Sequence, residues 1–268
     1  MTGAGRTLRA LPTLFRVGFA EAMAYRGEFL IWILSTNMPL VMLLLWSAVA
    51  EEAPVGRFGV REFSAYFLAT LVVRLLTGAW VVWQLNYEIR HGALAMRLLR
   101  PLHPFVSYAA EHLAALPIRV LLALPIAGAA LLWLGRDQLA SDPLHWVVFP
   151  LSLAGAWALT FGVMLVIGTL GFFWESSLSL FDLWLGLFFV FSGYTIPLEL
   201  FPASLLALSK WLPFRYVLSF PVETLLGLLG RRELLLALAS QWTYVAIVYA
   251  AALLLWRAGL RRFAAYGG

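Results

Sequence analysis

Cysteine is missing from all 268 residues, which removes disulfides, thiolate metal sites and cysteine nucleophiles together. Charge is scarce as well: Asp, Glu, Lys and Arg make up 12% of the chain, against 62% apolar residues. A soluble domain carries about 25% charged and about 45–50% apolar residues. With 19 basic and 14 acidic side chains, a water-soluble globule of this size could not cover its surface. Soluble enzyme, nucleic-acid binder and disordered chain are excluded on that ground. Lysine is reduced to Lys210 beside 18 arginines, and no glycine loop precedes it, so the chain has no GxxxxGK[ST] phosphate loop. Nor is there an H-E-x-x-H zinc pair, and His91, His103, His112 and His145 all fall in loops or at span ends.

What the chain has instead is long apolar runs, with a mean hydropathy of +0.86. It reads as an all-α membrane protein. About 20 mainly apolar residues cross the hydrocarbon core, and the intervals between charged residues predict six transmembrane helices at 28–50, 62–85, 112–135, 145–172, 177–197 and 234–256. Residues 198–232 are apolar too, but Pro202, Pro213 and Pro221 cut them into pieces too short to cross. Irregular backbone at membrane depth needs protein or a water-filled cavity around it, so this segment reads as short outer re-entrant helices. Within residues 1–27, Leu8, Leu11, Phe15, Phe19 and Met23 share one face, the pattern of an interfacial amphipathic helix. That stretch has neither the continuous apolar run nor the small-residue cleavage site of a secretory signal.

With both termini cytoplasmic, the inner flanks collect ten basic residues and the outer flanks seven. The positive-inside rule therefore favours that orientation, and the net charge of +5 is the surplus expected of such flanks. Three charges fall inside spans, where each costs about 2.5–3.5 kcal/mol on insertion scales. Arg74 lies near mid-membrane and should meet Asp182, a carbonyl or the substrate path. Arg119 is close enough to the inner face to snorkel. Most tryptophans, Trp133 and Trp146 among them, fall near span ends, as an interfacial belt requires. Gly162, Gly168 and Gly171 suit close packing of the fourth span.

The most informative loop is 86–104, Asn86-Tyr87-Glu88-Ile89-Arg90 through Pro104, placed on the cytoplasmic side. It sets Ile89, Met96, Leu99 and Leu102 at helical spacing against Arg90, Arg97 and Arg100, and Pro101 and Pro104 end it. A solvated loop has no need of so many apolar residues, so the pattern predicts a short helix that docks on a cytoplasmic partner. Several pieces then stand in a specific order. Glu88-Ile89-Arg90-His91-Gly92 is followed by Arg97-Leu98-Leu99-Arg100-Pro101. Ser192-Gly193-Tyr194-Thr195-Ile196-Pro197 comes later, then Phe201-Pro202, Leu212-Pro213-Phe214, Pro221 and Gly227. In that order the chain resembles the type-2 export permeases of ABC transporters, and its closing Tyr266-Gly267-Gly268 is similar to a branch in which two different permeases work side by side.

That resemblance implies a permease that forms half of a translocation path in a prokaryotic plasma membrane. Its partners would be two cytoplasmic ATPase subunits, which hold the ATP and Mg, and a second, non-identical permease; this chain itself would bind no cofactor and no metal. Segment 86–104 would be the coupling helix, with Glu88, Arg90, Gly92, Arg97, Arg100 and Pro101 facing the ATPase. Ser192, Gly193, Pro197, Pro202, Pro213, Phe214, Pro221 and Gly227 would form the outer gate. An exporter is expected over an importer because no large soluble domain interrupts the outer loops. Two other classes compete. An intramembrane serine protease would need a glycine where Val190 stands before Ser192. A secondary transporter or channel would call for internal repeats and acidic proton carriers, and inside the spans only Asp182 is available.

Overall fold

A computed structural model of the chain describes residues 12–13, 16–17, 19–20, 38–122 and 124–263. The expected interfacial helix, apart from those few positions, and the first ten residues of the first expected span lie outside the described residues. So does the side chain of Arg119. Among the described residues the regular structure is helical, and the sole β element is an isolated bridge between Val55 and Phe58.

Three stretches are long and apolar enough to cross a membrane: Val60–Arg90, Pro143–Phe172 and Arg231–Leu260. The first comprises α2 (Val60–Thr77) and α3 (Val81–Arg90), preceded by α1 (Met38–Glu52). The expected span 62–85 is therefore interrupted, because Gly78 takes an extended conformation with ψ 134°. A short helix α4 (Leu94–Leu98) follows α3. The expected span at 112–135 also differs: helix begins at Pro104, and a turn at Ala115 separates α5 (Pro104–Ala114) from α6 (Leu116–Leu122), with α7 (Leu124–Leu134) described after it. Pro117 explains the turn at Ala115. A proline lacks the N–H that a continuing helix would use, and Pro117 stands second in its helix, where that N–H is not needed.

The fourth expected span matches α8 (Pro143–Thr169), which a 3-10 turn extends to Phe172. The fifth is shorter than 177–197: α9 (Ser177–Phe191) stops just before Gly193, whose φ of +81° ends the helix. The proline-cut segment folds as α10 (Ala203–Trp211), α11 (Pro213–Val217) and α12 (Ser219–Leu225). Then α13 (Arg231–Leu260) runs back along α8. Gly162 permits that approach, since a Cβ there would come within 2.9 Å of Val248 and Tyr249. Gln241 of α13 ties the pair together by donating to the carbonyls of Ser152 (2.9 Å) and Tyr216 (2.8 Å).

Helix α2 lies at the centre. Phe63, Tyr66 and Phe67 are buried in one cluster with Leu159 of α8, Phe188 of α9 and Phe220 of α12. Polar contacts sort the loops into two ends. At one end Arg57 pairs with Glu199 at 2.6 Å, Ala140 N–H donates to Leu225 C=O at 3.0 Å, and Arg231 pairs with Asp142 at 2.6 Å. At the other, Asn86 donates to Ser177 at 2.6 Å, and Trp256 packs on Phe105 and Phe172. Loop 91–103 belongs to this second end and the segment 192–230 to the first, so the two groups of candidate residues stand at opposite ends.

Candidate functional site

The 86–104 segment is held by one guanidinium. Arg97, in α4, reaches Glu88 of α3 through Nε (2.9 Å) and Nη2 (2.7 Å), and Glu111 of α5 through Nη1 (2.6 Å). A planar fork matched to carboxylates in this way gives the stronger, charge-assisted kind of hydrogen bond. Tyr108 donates to Glu88 at 2.6 Å, and its ring lies 4.1 Å below the Arg97 guanidinium. Ser107 and Gln84 donate to Glu111 at 3.1 and 3.0 Å. Burial works against the charge on Arg97, but the two carboxylates outweigh it and hold the guanidinium above its ordinary value. The result is a clasp that closes α3, α4 and α5 into one unit. Glu88 and Arg97 thus hold the segment in place rather than reaching out from it.

What the clasp presents is different. Met96 is 70% exposed and Leu99 79% exposed, flanked by exposed Arg90, Arg100 and Pro101. Leu94, on the opposite side of the same turn, is fully buried. Gly92 supplies the reversal between α3 and α4 with φ +72°. His103 caps α5: its Nδ1 accepts from Phe105 N–H at 3.2 Å. Burial, and then the nearby Arg257, push that imidazole below its ordinary value, which suits a ring nitrogen acting as acceptor.

The intramembrane charges are not brought together. Arg74 lies with its guanidinium over the rings of Phe188 (5.2 Å) and Tyr194 (5.5 Å), and its Nε is buried without a hydrogen-bond partner among the described residues. Asp182 is exposed on α9 and makes no ion pair with Arg74. A cation over an aromatic face is a recognised alternative to a carboxylate partner.

At the opposite end, Gly193 is the fulcrum. Its carbonyl accepts from Tyr66 Oη at 2.8 Å, and that hydroxyl lies 3.3 Å from Ser219 Oγ. A Cβ on Gly193 would collide with both hydroxyls. Ser219 N–H donates to Ser192 C=O at 3.1 Å, and Trp46 Nε1 donates to Thr195 C=O at 2.9 Å. So α1, α2 and α12 all grip the turn that ends α9. Pro197, Phe214 and Pro221 are buried, Pro213 opens α11, Pro202 is exposed, and Gly227 turns with φ +64° against Ala140. Beside this turn is a cavity of about 180 Å³, lined by Tyr66, Pro197, Lys210, Arg215, Glu223 and Glu233, with other residues. Arg215 pairs with Glu223 at 2.7 Å in its wall.

Sequence reasoning missed Glu111, Tyr108 and Tyr66. Glu111 was visible as a charge at a span boundary, but nothing along the chain shows that α5 folds back against α3. Tyr66 reads as one apolar position of a span, and no signal marks it as the donor to Gly193.

A family model described as ABC-2 family transporter protein matches residues 36–267, nearly the whole chain. Among curated proteins no sequence matches.

Proposed function

Because the chain belongs to the ABC-2 transporter family, we propose that it is the permease subunit of an ATP-driven exporter. In this reading it crosses a prokaryotic plasma membrane six times, both termini are cytoplasmic, and it forms half of the translocation path. The other half comes from a second, non-identical permease, and two ATPase subunits bind the ATP and Mg. The observation that carries the reading is the exposed Met96–Leu99 turn on a segment pinned by the Glu88–Arg97–Glu111 clasp. Two large apolar side chains standing in water call for a partner surface, and a rigid mounting is what allows a partner's movement to be passed on. The family match favours this reading over a carrier that works without ATP.

The mechanism follows from the mounting. Closure of the ATPase pair pushes the Met96–Leu99 turn, and the clasp moves α3 and α5 with it. The break at Gly78–Trp80 lets α3 tilt while α2 stays in the core. At the outer end, the Gly193 turn and helices α10–α12 open and reseal the path. Co-purification in mild detergent, with ATPase activity assayed on the recovered complex, tests the assignment. Recovery of a soluble phosphate-loop ATPase with a second membrane protein is the expected result. A chain that emerges alone, under conditions that keep membrane complexes intact, overturns it.

A further inference from the structure

Between the start of α2 and the end of α7 lies a cleft of about 300 Å³, lined by Val60, Arg61, Trp133, Arg136 and Asp137, with Ser64 and Gln138 among the rest. Its two walls meet at Gly135, where a Cβ would come within 2.8 Å of that of Ala65. Arg61 and Arg136 are far apart in the chain, and this contact brings them to one cleft. Neither makes an ion pair there among the described residues. Glu62, the neighbour of Arg61, is engaged through both oxygens, accepting from Gly59 N–H at 2.9 Å and from the Gln138 amide at 3.3 Å. Among the described residues, Arg61, Arg136 and Asp137 make no ion pair at all. Two guanidinium groups and one carboxylate therefore share a concave site with their charges unspent.

The rim says what the occupant is attached to. Trp133 is 87% exposed, and Ile126 (75%) and Leu132 (57%) continue an exposed apolar surface along α7. A tryptophan ring favours the boundary between hydrocarbon and headgroups. We propose that the cleft binds the headgroup of an ethanolamine phospholipid, its phosphate against Arg61 and Arg136, its ammonium towards Asp137 and its acyl chains along α7. A choline headgroup offers no N–H donor for Asp137, and a glycerol headgroup offers no cation.

Native mass spectrometry of the full chain in mild detergent tests this, with phosphatidylethanolamine, phosphatidylglycerol and phosphatidylcholine of identical acyl chains as probes. The ethanolamine lipid is retained about tenfold better than the other two, the size of one charge-assisted hydrogen bond between its ammonium and Asp137. Arg61→Gln with Arg136→Gln lowers retention of all three lipids, because the phosphate is common to them. Asp137→Asn keeps phospholipid binding but makes the ethanolamine and glycerol lipids equal. All three side chains are exposed, and unchanged helical circular dichroism identifies the variants as folded. Equal retention of the three lipids by the unaltered chain, retention that the double arginine substitution leaves unchanged, or a preference that survives Asp137→Asn, overturns the site. Displacement of the lipid by free phosphoethanolamine or inorganic phosphate overturns the lipid as occupant and assigns the cleft to a soluble phosphate.

Discussion

Arg97 spends all three of its nitrogens on Glu88, Ser107 and Glu111. Replacing it with glutamine leaves two carboxylates facing one another with no cation between them. With the Arg97 side chain 12% exposed and the Glu111 side chain 23% exposed, solvent repays only part of the loss. Arg97→Gln should therefore cost about 2 kcal/mol of stability, the scale of a hydrogen bond to a charged group, read as a lower thermal midpoint in detergent. Glu88→Gln, which still accepts from Tyr108, should cost less. Gly193 makes the same argument from the backbone. Its φ of +81° is strained for any other residue, and a Cβ would displace the Tyr66 and Ser219 hydroxyls. Gly193→Ala should destabilise by about 2 kcal/mol or more. Gly128, with open space around its Cα, serves as the comparison: Gly128→Ala should be neutral or stabilising by up to about 1 kcal/mol. Thermal unfolding of the two variants side by side checks the contrast.

Helix α5 shows how an element's stability depends on pH. Its first turn is capped by His103 as acceptor, which requires the neutral ring. The folded-state value is depressed below the ordinary 6.5, so the cap contributes fully above that value. It is lost as pH falls through the depressed folded value and the ring protonates. Unfolding followed from pH 7.5 downwards should show stability declining below about 6.5, and His103→Asn, which caps without titrating, should remove that part of the decline. The elements themselves were largely legible in the sequence. Helices α8 and α13 fall where the charge-free intervals put them, and the proline-cut stretch after Pro197 is a set of short helices. What failed to show were interruptions set by single residues, such as Gly78 in the second span and Pro117 in the third. A hydropathy run averages over these positions, whereas the backbone responds to each. The clasp was half legible: Glu88 and Arg97 stood out as charges, but their role depends on Glu111 and Tyr108, which only the return of α5 brings near. Arg74 was visible along the chain as a charge within an apolar stretch. Its partner was not, because the rings of Phe188 and Tyr194 look like ordinary apolar positions of another segment.

For the molecule as a whole, attachment and transmission reside in different residues, and two substitutions separate them. Met96 and Leu99 face outwards and Arg97 faces inwards, though all three share one turn. Burying a Leu or Met side chain against a partner is worth about 1.5–3 kcal/mol. Met96→Asp with Leu99→Asp should therefore weaken ATPase binding by a factor of about 100 or more, because it also places two carboxylates in the contact. The chain should still insert and keep its thermal midpoint, since neither residue touches the core. Arg97→Gln should do the reverse: the ATPase still co-purifies, because Met96 and Leu99 are unchanged, but a loosened α3–α4–α5 unit no longer carries its movement to Gly78 and beyond. In vesicles, that variant should hydrolyse ATP with transport reduced, while the double aspartate variant recovers neither ATPase nor transport. If both variants lose the ATPase equally, the clasp serves only to shape the docking turn, and transmission must run through another contact.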